Sequence, residues 1–120
     1  MDSNEIKAII QNYFDAGFEC DGEKMRGVFH NAAHIYGIGD GGVFQDRDKE
    51  AFIKLVETPK GGYPRHDEVL SIDFIDENTA VARIKTRIGN ILFTDNLSFL
   101  RLDGKWSVIT KLFAGEPAIH

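Results

Sequence analysis

Residues 79–113 read TAVARIKTRIGNILFTDNLSFLRLDGKWSVITKLF, and the reading of this stretch decides the fold. Its first ten residues alternate strictly, with Ala80, Ala82, Ile84, Thr86 and Ile88 on one side and Val81, Arg83, Lys85 and Arg87 on the other. Successive side chains of a strand point to opposite faces, so this is a β-strand with one wet face. Gly89-Asn90 is a two-residue connection that tolerates positive φ. Ile91 to Leu102 then resumes the period of two, with Phe93, Asp95, Leu97 and Phe99 together on one side. Asp103-Gly104 is a second hairpin signal, and Lys105 to Phe113 closes the meander. There Trp106, Val108, Thr110 and Leu112 alternate with Ser107, Ile109, Lys111 and Phe113. Two tight turns in succession make a curved antiparallel sheet of long strands.

Such a sheet has an apolar face to cover, and the first half of the chain supplies the cover. Asp2-Ser-Asn-Glu5 has the spacing of a capping box, and Ile6, Ile9, Ile10, Tyr13, Phe14 and Gly17 follow on one helical face. Asp21-Gly22 interrupts the chain before a short second helix whose apolar side is Met25, Val28 and Phe29. Ala33–Ile38 and Val43–Gln45 flank a glycine-rich turn, Gly39-Asp-Gly-Gly42, as a short hairpin. Asp46 is placed to cap a third helix with Ala51, Phe52, Leu55 and Val56 on its buried stripe, which Thr58-Pro59 ends. After a loop at Lys60–Pro64, His66 to Ile75 forms a strand with Leu70, Ile72 and Phe74 on one side, and Asp76–Thr79 turns it into the meander. The class is α+β, with helices packed on one side of a bent sheet.

Composition narrows the function. A chain of 120 residues, 42% of them hydrophobic, suits one domain that buries roughly two-thirds of its unfolded surface. Fourteen basic against 19 acidic residues give a net charge of −5, which does not attract nucleic acid. No apolar stretch approaches the roughly 20 residues of a membrane span. The single cysteine, Cys20, excludes an internal disulfide, and acids and amides occupy residues 1–20 where a signal peptide needs a basic start and an apolar run. The expectation is a cytoplasmic protein with neither nucleic-acid nor membrane partners.

Several stretches carry a resemblance: Phe29-His30-Asn-Ala-Ala33, the helix from Asp46 to Thr58, His66-Asp-Glu-Val-Leu-Ser-Ile-Asp73, Ala80-Val-Ala-Arg83 and, most specifically, the last two strands from Phe93 to Phe113. Together they resemble the NTF2-like (cystatin-like cone) superfamily, and within it the small bacterial proteins called putative lumazine-binding, or SnoaL-like. The likeness covers nearly the whole chain. It implies one NTF2-like domain over residues 1–120, an α+β cone in which three N-terminal helices pack on a strongly curved antiparallel sheet. It also implies a pocket at one end of the cone. It implies no particular chemistry, because the superfamily holds isomerases, dehydratases, cyclases, carriers and interaction modules. Its members usually bury the outer sheet face against a second copy. This chain has a surplus of apolar residues to be covered there, Val81 opposite Ala82, Leu92 and Leu100 opposite Phe93 and Phe99, and Ile109 opposite Val108, so a homodimer is expected.

A curved sheet leaves a gap lined by helix and sheet side chains. The candidates are Tyr13, Phe14, Phe29, Phe52 and Val56 from the helices, with His66, Asp95 and whichever of Trp106 or Lys111 points inward from the sheet. Nine phenylalanines and three tyrosines suit a small apolar or aromatic ligand, and equally an ordinary core. Asp95 is the sharpest polar signal, because Phe93 and Leu97 flank it on the same face and desolvate an acid that could then move a proton. His66 could work with it from the pocket mouth or sit in solvent. Against this, Asp95 could pair with Arg83, Arg87 or Lys111, or its face could be the outer one.

Other motifs carry less. His30 and His34 are four apart but straddle a helix end, so no metal site is expected, and His30 is placed to cap the second helix. His120 is terminal and expected to be disordered. Gly37-Ile-Gly-Asp-Gly-Gly42 lacks the Lys-Ser/Thr ending of a phosphate loop and reads as a turn, and no cofactor motif is present. Two functions remain open: a protein that binds a small molecule in an aromatic-lined pocket, with proton transfer of the isomerase or dehydratase type as its chemistry if any, or a dimerisation module whose pocket is filled by its own side chains.

Overall fold

The computed structural model describes residues 2–118, so His120 lies outside the described residues. The elements are α1 (Asn4–Glu19), α2 (Gly22–Arg26), β1 (Phe29–Ile38), β2 (Phe44–Asp48), α3 (Lys49–Glu57), β3 (Asp67–Asp76), β4 (Thr79–Ile88), β5 (Ile91–Leu102) and β6 (Lys105–Pro117). A single 3₁₀ turn, Asp40–Gly42, links β1 to β2. No helix among the described residues is long and apolar enough to cross a membrane.

The six strands form one curved, unclosed sheet in the order β2-β1-β6-β5-β4-β3. The four strands of the meander pair antiparallel with their sequence neighbours, and both expected turns are present, with Gly89 at φ 60°, Asp103 at 52° and Gly104 at 76°. The sheet is nevertheless mixed, because β1 docks parallel to β6, placing Ile35 opposite Lys111 and Gly37 opposite Phe113. Gly37 makes room there for the Phe113 ring, with which a Cβ would collide.

Strict alternation fails in β6. Ser98 pairs with Thr110 but the next residue, Phe99, pairs with Val108, so Ile109 is the extra residue of a β-bulge. One inserted residue reverses the parity of everything after it. Trp106 and Val108 therefore share the inner face with Lys111 and Phe113, whereas Leu112, expected beside Trp106, is turned outward and half exposed.

The helices cover the inner face. α1 buries Ile6, Ile10, Tyr13, Phe14 and Gly17 as its periodicity demanded, with Ala16 in addition, while Ile9 is only half-buried. Its cap differs from expectation: Ser3 is the N-cap without a side-chain bond, and Asp2 Oδ1 accepts from the Asn4 N–H at 2.8 Å. α3 is capped by Asp48, whose carboxylate accepts from the Ala51 N–H at 2.9 Å, because Asp46 still belongs to β2 and pairs there with His34. The later start rotates the buried stripe to Lys49, Phe52, Ile53 and Val56, leaving Ala51 and Leu55 toward solvent. His30 caps nothing. It sits in β1, and its Nδ1 accepts from the Ala32 N–H. In β3 the register slips between Val69 and Ser71, which exposes Leu70 and leaves Ile72 and Phe74 as its inward contribution.

Candidate functional site

The centre of the site follows from two strand positions and one helix position. Asp95 lies opposite Phe113, and Leu97 opposite Lys111, so Asp95 and Lys111 are diagonal neighbours on the inner face of β5 and β6. The bulge at Ile109 is what aims the lysine inward. From above, the buried face of α1 brings Tyr13 down onto the pair, and its hydroxyl donates to Asp95 Oδ2 at 2.6 Å across 82 residues of sequence. Asp95 is 1% exposed, and its other oxygen, Oδ1, has no hydrogen-bond partner among the described residues. Lys111 Nζ stands 3.8 Å from Asp95 Oδ2, beyond hydrogen-bond length, and lies over the rings of Phe52 at 4.4 Å and Tyr13 at 5.1 Å.

Burial sets the proton affinities of Tyr13 and Lys111. It pushes the Tyr13 hydroxyl well above the usual phenol range, and the negative charge of Asp95 and the hydrogen bond to it push the same way. Burial also pulls the Lys111 amine below the usual lysine range. Asp95 opposes that fall, and the positive charge of Arg47 adds to it. The phenol thus stays neutral, and the amine loses its proton more readily than a surface lysine does.

These groups stand on the wall of a cavity of about 760 Å³ between α1, α3, the β1–β2 hairpin and the inner face of the sheet. Tyr13, Gly17, Phe52 and Val56 line it from the helices, Ile35 and Arg47 from the hairpin, and Thr86, Phe93, Asp95, Lys111 and Phe113 from the sheet. Ile38, Val43 and Leu55, all exposed hydrophobics, also line it. The volume falls within the roughly 300–1,000 Å³ of small-molecule pockets.

Of the residues proposed from sequence, Tyr13, Phe52, Val56, Asp95 and Lys111 meet at this cavity. Phe14 and Phe29 do not line it. They form the layer behind, with ring centroids 6.3 and 6.2 Å from that of Tyr13, and Phe29 also packs edge-on against Phe52 at 5.3 Å. Trp106 is inward but at the other end of β6, packed edge-on against Phe74 at 5.9 Å. His66 is exposed just before β3 and pairs with Glu68 at 3.1 Å, away from Asp95. Arg83 and Arg87 are not the partners of Asp95; Arg87 Nε donates to the Gly89 carbonyl. Arg47 and Phe113 were not foreseen. Periodicity could not have placed Arg47, because Phe44, the apolar residue of β2, lies on the exposed face and Gln45 and Arg47 on the half-buried one. Among the described residues no three His, Cys, Asp or Glu side chains are grouped so as to hold a metal ion.

Comparison with known proteins agrees with the fold. Residues 1–114 match the model of a family described as "Putative lumazine-binding". A Cladobotryum sp. protein named aldolase FrzH is 27% identical over 122 residues, covering 96% of this chain and 94% of its own length. Among solved structures, an NTF2-like protein from Shewanella baltica OS155 superposes with a TM-score of 0.87 at 25% identity, covering 95% of this chain and 93% of that one. Another, from Methylobacillus flagellatus KT, gives 0.79 at 26% identity, covering 94% and 90%.

Proposed function

The chain belongs to the "Putative lumazine-binding" family of NTF2-like proteins, and from there we propose that its cavity binds a small, planar, largely apolar carbonyl compound and moves a proton on the carbon next to the carbonyl. The observation that carries this reading is Asp95: a buried carboxylate on the cavity wall, one oxygen held by Tyr13 and the other without a hydrogen-bond partner among the described residues. A carboxylate so placed serves as a general base once a substrate brings its acidic C–H to Oδ1. Tyr13 fixes the carboxylate, and Lys111, when protonated, supplies the positive charge that stabilises the enolate oxygen. A general base contributes about 10² to 10⁴ in rate and one oxyanion donor about 10² to 10³, which is the order of the share that these two groups would supply. An aldol reaction begins with the same enolate-forming step, so the name of the Cladobotryum relative points in this direction.

The alternative of an interaction module with a self-filled pocket is disfavoured by the size of the cavity. The reading includes a homodimer through the outer sheet face, supported by the exposed Leu112 there, and neither nucleic acid nor membrane as partner. Two measurements test it. Phenylacetone should bind the protein in a saturable titration, and its methylene protons should exchange in D₂O faster with the protein than with buffer. Asp95→Asn should keep binding and lose the exchange; exchange unchanged in Asp95→Asn would refute the assignment of the base.

A further inference from the structure

We propose that Lys111 is itself a nucleophile, and that the substrates of the site are aldehydes or ketones held as an iminium on its Nζ; this rests on the reading of the cavity as a carbonyl site. The two buried lysines make the contrast. Lys49 Nζ is satisfied by the Phe29 carbonyl at 2.9 Å and Asn31 Oδ1 at 3.0 Å, as a structural lysine is. Lys111 Nζ makes no hydrogen bond among the described residues, faces aromatic rings of Phe52, Tyr13 and Phe113, and borders the cavity. A lysine desolvated among apolar groups, with a second cation nearby, is the setting that frees an amine for attack on a carbonyl. Both conditions hold here: burial and the charge of Arg47 each favour the neutral amine, and Asp95, whose charge opposes them, is the group placed to take the proton.

Asp95 supplies the proton shuttle at 3.8 Å. Starting from the ammonium and carboxylate, Asp95 takes one proton and the free amine attacks the carbonyl carbon, forming the C–N bond. Asp95 then hands its proton to the carbonyl oxygen, giving, after loss of a second nitrogen proton to the carboxylate, a carbinolamine. Return of that proton to the hydroxyl releases water, and the nitrogen lone pair closes the C=N bond. The ammonium's three protons end as two in water and one on the iminium nitrogen. The carboxylate is regenerated beside a carbon acid made more acidic by the positive nitrogen, where it can act as the base described above.

The test uses 1-phenylbutane-1,3-dione, a β-diketone that condenses with a neutral amine to a stable enaminone absorbing in the near ultraviolet. At pH 7 the expected product is one adduct per chain, with the mass of the probe less one water, located on the Lys111 peptide. The remaining lysines, Lys49 included, stay unmodified. Borohydride added with phenylacetone should fix the corresponding secondary amine at the same residue. Lys111→Arg keeps a cation and should abolish both adducts. If that variant fails to fold, the peptide map of the unmodified protein decides alone. Catalysed exchange of phenylacetone with Lys111 unmodified would overturn the proposal and leave the proton-transfer reading standing. Labelling spread over surface lysines would overturn it too. An adduct at Lys111 without catalysed exchange would support the nucleophile and refute only the base.

Discussion

Replacing Lys111 by Met and Asp95 by Asn, singly and together, should show that the buried pair stabilises the fold little or not at all. At 3.8 Å and an effective dielectric constant near 20, the attraction between the two charges is about 4 kcal/mol. Each ion gives up several kcal/mol of hydration on burial, about as much as the attraction returns. Lys111→Met leaves the carboxylate with only the Tyr13 hydroxyl, and such a break in a buried pair costs about 3–5 kcal/mol. Asp95→Asn should fall at the low end of that range, because the amine can shed its proton. The double variant removes both charges at once and should return to within about 1 kcal/mol of the parent or exceed it. Urea unfolding measures this directly. With a slope of about 1.5 kcal/mol per molar, a 3 kcal/mol loss moves the midpoint by roughly 2 M, far outside error. Losses that simply add in the double variant, or singles that cost nothing, would refute the reasoning.

Tyr13→Phe strips the hydrogen bond from Asp95 Oδ2 while keeping the ring packing, and should lower stability by about 2 kcal/mol in the same urea assay. Because it loosens the base without removing it, kcat for phenylacetone exchange should fall about tenfold or more with KM little changed. Stability should also follow pH in two opposed limbs. Lys111, its affinity depressed in the fold, binds fewer protons than in the unfolded chain, so stability rises with pH from its depressed value up to the ordinary lysine range. Tyr13, its affinity raised, contributes stability that is whole below the ordinary phenol range and lost as pH climbs toward its folded value. Urea curves between pH 7 and 11 should lose the rising limb in Lys111→Met and the falling limb in Tyr13→Phe. Finally, Leu112→Glu places a charge on the outer face of β6 and should convert a dimeric mass in light scattering to a monomeric one, leaving exchange per chain intact.

The meander was legible in the sequence because its signals are local: period-two alternation, with Gly89 and Asp103-Gly104 at turns whose positive φ few residues adopt. Asp95 was legible for the same reason, as an acid inside an apolar row. What was not legible depends on single-residue shifts or on distant packing. Ile109 is β-branched and looks like any strand residue, so nothing marked it as the bulge that turns Lys111 inward. Asp46 and Asp48 are both sound caps, and only the length of β2 chooses between them. Phe14, Phe29 and Phe52 are equivalent as apolar side chains. Whether each forms the wall or the layer behind it is fixed by how α1 and α3 lie on the sheet, which no periodicity records. His66 was drawn toward Asp95 on the sequence alone, but the strand it precedes is the edge strand farthest from the hairpin.

The parallel docking of β1 on β6 has a bearing on how the molecule assembles. Ile35 must find Lys111 across more than half of the chain, whereas β3 to β6 join through turns of two residues. Chain-closure entropy makes such distant pairing the late event and local hairpins the early ones. The last piece to arrive is then the β1–β2 hairpin, which carries Ile35 and Arg47 and closes one side of the cavity. It ends at β2, which like β3 is an edge strand with a single neighbour, so it is among the pieces that come away most readily. A molecule held between the hairpin and the meander bridges the two and retards that detachment. Amide exchange in β1 and β2, more than in β4 or β5, is therefore where the arrival of a ligand will register.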